Sequence, residues 1–194
     1  FICLIKKPFR FEWLFYLFQL FRKINHIILK LYITKKKKNT QKQSPEMMLN
    51  DNPIFNISPI PLWLEDFSDI KKQLDTWRKQ GVQDLRQYLF KNPSLVVEST
   101  QKIKILNVNA RTLELYEAHH FNHLCENLDQ IFQQDMLNTH INELVELWEG
   151  KTHFSNTAVN YTLNGKRLDI QLRCTILPEH KHDWSQVLIS TENI

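Results

Sequence analysis

Glycine is scarce in this 194-residue chain: Gly81, Gly150 and Gly165 are the only three. Phosphate-binding loops and dinucleotide fingerprints need several closely spaced glycines so that backbone amides can reach a phosphate, and both are therefore excluded. Cysteine is equally rare, and Cys3, Cys125 and Cys174 contain no short-spaced pair. That spacing signals neither a disulfide framework nor a zinc knuckle, and it points to a reducing, cytoplasmic setting. Basic charge is missing where a nucleic-acid surface would need it. Residues 1–46 carry eleven Lys/Arg against Glu12 and Glu46, a balance of +9, whereas residues 47–194 carry fourteen basic against nineteen acidic, a balance of −5. Binding to phosphate backbones rests on Lys and Arg displacing counterions, so the acidic body of the chain excludes nucleic acid as its partner.

The first 46 residues differ in kind from the rest. Residues 1–42 contain no Ala, Gly, Val or Asp, and Met47 and Met48 are the first methionines. The plain reading is a basic low-complexity extension translated from AT-rich sequence ahead of the native start; the rival reading is a membrane anchor. Trp13 to Phe21 is an uncharged run of nine residues, against about 20 needed to span a bilayer. Arg22, Lys23, His26 and Lys30 interrupt every longer window, so a membrane is not the expected partner. No small-residue cleavage site follows the apolar run, which argues against a secretory signal.

From Asn52 onward the pattern becomes regular. Leu62, Trp63 and Leu64 form a short apolar run ending in Glu65-Asp66, as a buried strand would. Ser68 is expected to cap a helix in which Ile70, Leu74 and Trp77 fall at i, i+4 and i+7, with Gly81 ending it. Asp84 can cap a second helix, Asn92-Pro93 starts a third, and Ile103 to Val108 has the β-branched density of a second strand. Asn109 is placed to cap the next helix. Short helical turns follow from Phe121 to Phe132, and Asp135 is expected to open a longer helix with Leu137, Ile141, Leu144, Val145 and Trp148 on one face. The period then changes to two. Leu168, Ile170, Leu172, Cys174 and Ile176 alternate with Arg167, Asp169, Gln171, Arg173 and Thr175, a strand with one face on a core. Asn164-Gly165 reads as a hairpin turn with both residues at positive φ, pairing this strand with Phe154 to Leu163, and a last strand is expected from Trp184 to Ser190. Two strands, a set of helices and a three-stranded meander amount to an α+β fold with an antiparallel sheet.

That order, with the segment Pro59-Ile60-Pro61-Leu62-Trp63-Leu64-Glu65-Asp66-Phe67-Ser68, resembles the PAS sensory domain of bacterial signalling proteins, in a subgroup with a helical insertion after the first strand. Further matches are Gly81-Val82-x-Asp84-Leu85-Arg86-x-Tyr88-Leu89, Val108-Asn109-x-x-Thr112-Leu113-Glu114-Leu115-Tyr116 and the terminal Ser190-Thr191-Glu192-Asn193-Ile194, where Asn193 replaces the family's Asp. The resemblance implies a five-stranded antiparallel sheet with helices on one side and the insertion between strands 1 and 2. It implies a PAS domain over residues 47–192, residues 193–194 beginning a connector to an output domain, and a homodimer acting as the input of a histidine kinase or a cyclic-di-GMP enzyme. A stand-alone interaction domain is the alternative, and a small hydrolase is the catalytic rival.

A PAS core implies a cavity between sheet and helices that holds haem, flavin, an organic acid or nothing. Its lining is expected from Leu137, His140, Ile141, Leu144 and Trp148 on the long helix and Ile170, Leu172 and Cys174 on the central strand, with Trp63 and Tyr116 at the rim. The simplest form of this core is a packed interior with no cofactor. His140 is the one candidate haem ligand, at the edge of its helix's apolar face. Cys125 lies in Leu124-Cys125-Glu126-Asn127, which departs from the Gly-x-Asn-Cys-Arg-Phe-Leu-Gln pattern of flavin photosensors in this fold. His119, His120 and His123 lack the carboxylate or thiol that would complete a metal site. Glu65-Asp66 reads as a solvated strand end, and no catalytic set is apparent. Signal output is expected through the outer face and exit of the sheet, at Asp169, Gln171, Arg173, Thr175 and Glu192.

Overall fold

A computed structural model describes residues 53–133 and 136–194. The readings placed on residues 1–46 and on Asp135 lie outside these residues. The described chain opens with a short helix, α1 (Pro53–Ile57), and the first strand, β1 (Leu62–Asp66). A helical insertion follows, made of α2 (Ser68–Lys79), α3 (Leu85–Lys91) and α4 (Pro93–Thr100), before β2 (Lys104–Val108). Helices α5 (Ala110–Tyr116), α6 (Phe121–Glu126), α7 (Leu128–Ile131) and α8 (Leu137–Trp148) then lead to β3 (His153–Tyr161), β4 (Arg167–Ile176) and β5 (Val187–Asn193).

The five strands form one antiparallel sheet in the order β2-β1-β5-β4-β3. The first and last strands are therefore neighbours, although Leu62 and its partner Ser190 are far apart in sequence. Alternation along β4 sends Leu168, Ile170, Leu172, Cys174 and Ile176 into the main core, where they meet Ile141, Leu144 and Leu147 of α8 and Leu74 and Trp77 of α2. A smaller cluster occupies the opposite face: Leu62 and Leu64 of β1 pack with Phe55 of α1, flanked by Leu106, Leu177 and Leu188. The insertion helices and α8 thus cover one side, and α1 covers part of the other.

Helix ends follow local chemistry, with some shifts from expectation. Phe67 occupies the N-cap position of α2 without a side-chain cap bond, and Asp66 Oδ1 accepts from the Ser68 amide at 2.8 Å, so Ser68 is the first helical residue and not the cap. Gly81 takes φ +85° as α2 ends, with the Val82 amide returning to the Trp77 carbonyl at 3.1 Å. Asp84 Oδ1 accepts from the Gln87 amide at 2.9 Å. Asn109, fully buried, does more than cap α5: its Oδ1 accepts from Thr112 N and Leu62 N, each at 3.0 Å, and its Nδ2 donates to the Ile60 carbonyl at 2.8 Å.

The β3–β4 turn also departs from its expected form. Only Gly165 adopts positive φ; Asn164 does not. Gly165 N donates to the Thr162 carbonyl at 2.9 Å and Thr162 N to the Lys166 carbonyl at 2.8 Å, so the connection is a longer turn with one left-handed residue, not a two-residue loop. The last strand starts at Val187 because Trp184, at φ 59°, is held in a loop turn by its amide bond to the His180 carbonyl. It runs through Asn193, which pairs with Ile170, so residue 193 belongs to the sheet.

Candidate functional site

The inner face of the sheet carries more polar groups than an inert core requires. Trp63 and Tyr116 lie at the centre of the core, not at its rim, 1% and 0% exposed, with ring centroids 5.3 Å apart in an edge contact. Trp63 Nε1 donates to Thr191 Oγ1 of β5 at 3.2 Å. The Tyr116 hydroxyl accepts from Asn160 Nδ2 of β3 at 2.7 Å. Asn160 is itself wholly buried, and its Oδ1 has no partner. Desolvation by this packing raises the Tyr116 hydroxyl to about 12. The two bonds and the ring contact between Trp63 and Tyr116 thus link β1, α5, β3 and the final strand through buried side chains.

One turn of strand away lies Glu65. Trp63 is inward and β1 alternates, so Glu65 is inward too, in register with the buried Val187. Burial of its carboxyl, with the nearby charge of Glu143 as a smaller cause, lifts Glu65 from the usual 4.5 to about 8. Both acids are half-buried: Asp66 lies 3.7 Å from Lys104 Nζ and accepts from the Ser68 amide, and Glu65 sits on the inward side of β1. The sequence signal was the i, i+2 relation to Trp63, masked by the charge that follows. On α8, Glu143 Oε2 lies 3.0 Å from His140 Nδ1, and both side chains are largely buried. His140 and Glu143 border a recess of about 20 Å³ shared with Phe67, Ser99 and Leu147, room for about one water.

Among the remaining lining candidates, Ile141, Leu144, Ile170, Leu172 and Cys174 are buried together in the main core. Leu137 and Trp148 are only partly buried. Leu147, which the sequence reading omits, occupies the inward position, while the Trp148 ring lies under the Arg78 guanidinium at 4.5 Å. The candidate haem ligand is engaged with Glu143 beside a space of one water. The Cys125 thiol is raised to about 12 by burial and by the carboxylates of Glu65 and Glu126, the opposite of an activated thiolate. His119 and His123 stack at 4.9 Å, and each of His120 and His123 uses Nδ1 to accept a backbone amide, so they serve as turn and helix-end groups. No group of three metal-ligating side chains occurs among the described residues.

The outer face of β4 and β5 is polar and internally paired. Arg173 forms an ion pair with Glu192, Arg167 with Asp169 at 2.9 Å, Gln171 Nε2 donates to the Asn156 carbonyl at 3.2 Å, and Thr175 Oγ1 lies 2.8 Å from His153 Nδ1. Among the described residues no helix is long and apolar enough to cross a membrane.

With strand order 2-1-5-4-3, a helical insertion after β1 and α8 packed on the inner face, the described chain has a PAS-like α+β fold. No family model and no curated protein matches the chain. Among solved structures it is similar to the LOV protein of Rhodobacter sphaeroides, with TM-score 0.48 and 13% identity over 73% of this chain and 62% of that one. It thus spans less than two thirds of that protein's length. It is also similar to the LOV domain of a blue-light activated histidine kinase from Erythrobacter litoralis, with TM-score 0.45 and 12% identity over 70% and 96% of the two chains. A third is the PAS domain, in complex with ethanol, of a LuxR-family transcriptional regulator from Burkholderia thailandensis, with TM-score 0.46 and 8% identity over 74% and 96%.

Proposed function

We propose that this chain is a sensory PAS module, regulatory and not catalytic, whose core state is delivered to an output through the last strand. The observation that supports this reading is the buried bond from Trp63 Nε1 to Thr191 Oγ1 of β5, beside the edge contact of Trp63 with Tyr116. A rearrangement around those rings cannot leave β5 unaffected, because the buried indole donor would lose its acceptor. β5 is also bonded on both sides, to β1 and β4, so a shift in it is transmitted across the sheet. The parent activity we propose is a histidine kinase or a cyclic-di-GMP enzyme, with two copies of the domain pairing through the sheet near Arg173 and Glu192.

The test is the regulated activity of the protein in which this domain sits beside its output domain. Thr191→Val should compress the range between the stimulated and unstimulated activities, and Arg173→Glu should alter it while the domain stays folded. An unchanged range in both variants would overturn the sensory reading and leave a contact domain in its place.

A further inference from the structure

β3 lies at one edge of the sheet, beside β4. Thr162 N donates to the Lys166 carbonyl and Ile176 N to the Thr152 carbonyl, so the even-numbered residues of β3 turn their backbone groups towards β4. The register is unbroken along the strand, which points the amides and carbonyls of His153, Ser155, Thr157 and Val159 away from the sheet. Among the described residues, the one hydrogen bond made to these groups comes from Thr139 Oγ1, 3.3 Å from the Thr157 carbonyl, and that oxygen keeps a second lone pair. His153, Ser155 and Thr157 are exposed, and an open groove of about 260 Å³ lies against Thr157, Ala158 and Val159. Edge strands are ordinarily blunted by charge, proline, a bulge or shortness. The opposite edge, β2, is short, begins with Lys104 and pairs with β1 through a register shift. β3 has none of these devices: it is nine residues long, without proline, bulge, Lys, Arg, Asp or Glu.

We propose that this edge is where two copies of the chain pair, β3 against β3 in antiparallel register about a two-fold axis at Thr157. The occupant follows from the strand itself. A row of outward amides and carbonyls is matched by another extended backbone, and an uncharged strand sets no like charges against its own copy. An axis at Thr157, the middle residue of β3, gives the longest overlap and sets Ser155 opposite the partner's Val159. Arg173, which faces Ser155 across the β3–β4 ladder, then shares a row with the partner's Asp169, which faces Val159. Those opposite charges stand about 14 Å apart, three strand spacings, on the outer face of one continuous sheet. The pairing gives a definite form to the sheet contact near Arg173 in the sensory reading, and it rests on that reading only for its effect on output.

The experiment uses the full 194-residue chain, in which sedimentation equilibrium should find a dimer. Thr157→Pro removes only an outward amide that β4 does not use, so the domain should stay folded. Its dissociation constant should rise about thirtyfold, because two central bonds are lost per dimer. Thr157→Lys, which opposes two like charges on the axis, should also weaken the dimer, and it carries the test if Thr157→Pro does not fold. Oxidative cross-linking reads the register. Thr157→Cys brings two Cα atoms to about 5.5 Å, within disulfide reach, and should cross-link beyond the native chain. Ser155→Cys leaves its two copies about 14 Å apart and should not. A monomeric native chain, a dimer that both Thr157→Pro and Thr157→Lys leave intact, or equal cross-linking at the two positions would each overturn the edge pairing. If those variants dissociate the dimer while the regulated output of the larger protein is unchanged, the pairing stands and the sensory reading falls.

Discussion

The indole nitrogen of Trp63 is bonded to the hydroxyl of Thr191, 128 residues later, at 3.2 Å, both groups buried on the inner face of adjacent strands. The first and last strands are thereby joined by side chains as well as by their ladder. Thr191→Val leaves the shape of the core nearly unchanged but removes the acceptor of Trp63 Nε1. One buried donor left unsatisfied should cost about 1 to 3 kcal/mol, read as a drop of roughly 5 °C in a thermal melt. Thr191→Ser should recover most of it, because the acceptor returns.

Asn109 and Asp84 are both helix caps, and their alanine variants should differ sharply. Asp84 is exposed and satisfies one amide, so Asp84→Ala should cost about 1 kcal/mol. Asn109 is buried and also holds Leu62 N and the Ile60 carbonyl, so Asn109→Ala should cost about 2 to 4 kcal/mol. Equilibrium denaturation of the two variants checks the ratio.

Acid stability should depend on Asp69. Hydrogen bonds from Lys104 and Lys72 lower its carboxyl from 3.8 to about 2. A depressed folded value means the contribution is present above about pH 4 and lost as pH falls towards 2. Asp69→Asn should flatten that limb of the stability profile, lowering stability above about pH 4 and converging on the native curve as pH falls towards 2.

Arg78 fastens the insertion to the end of α8: its Nη2 donates to the Trp148 carbonyl at 2.6 Å and its guanidinium covers the indole. Arg78→Lys cannot reproduce both the fork and the stack. A loss of about 1 kcal/mol is expected, with a red shift of tryptophan emission as Trp148 becomes hydrated.

Much of the fold was legible because its signals are local. The i, i+4, i+7 stripe of α2, the two-residue alternation of β4 and the caps at Asp84 and Asn109 each depend on neighbours in sequence. What failed depended on partners distant in sequence. Trp148 lies on the apolar arc of its helix by angle, but Arg78, seventy residues earlier, draws its ring to the surface and leaves Leu147 inside. Trp184 continues an apolar pattern, yet its left-handed backbone keeps it out of β5. Glu65 was misread because charge suggested solvent, whereas strand alternation from Trp63 directs it inward. The buried pairs Asn160–Tyr116 and Trp63–Thr191 have no sequence signature at all, since their members come from β3 and α5 and from β1 and β5.

Hydrogen exchange resolved along the sheet of the full chain, with Thr191→Val against the native protein, tests most directly whether the core is read out at the last strand. Removing the acceptor of Trp63 should raise exchange about tenfold in Val187–Asn193 and leave the β3–β4 turn at Thr162–Lys166 unchanged, as expected for loss of a single buried bond worth about 1 to 2 kcal/mol. Equal changes throughout the sheet, or none in the last strand, would contradict the account.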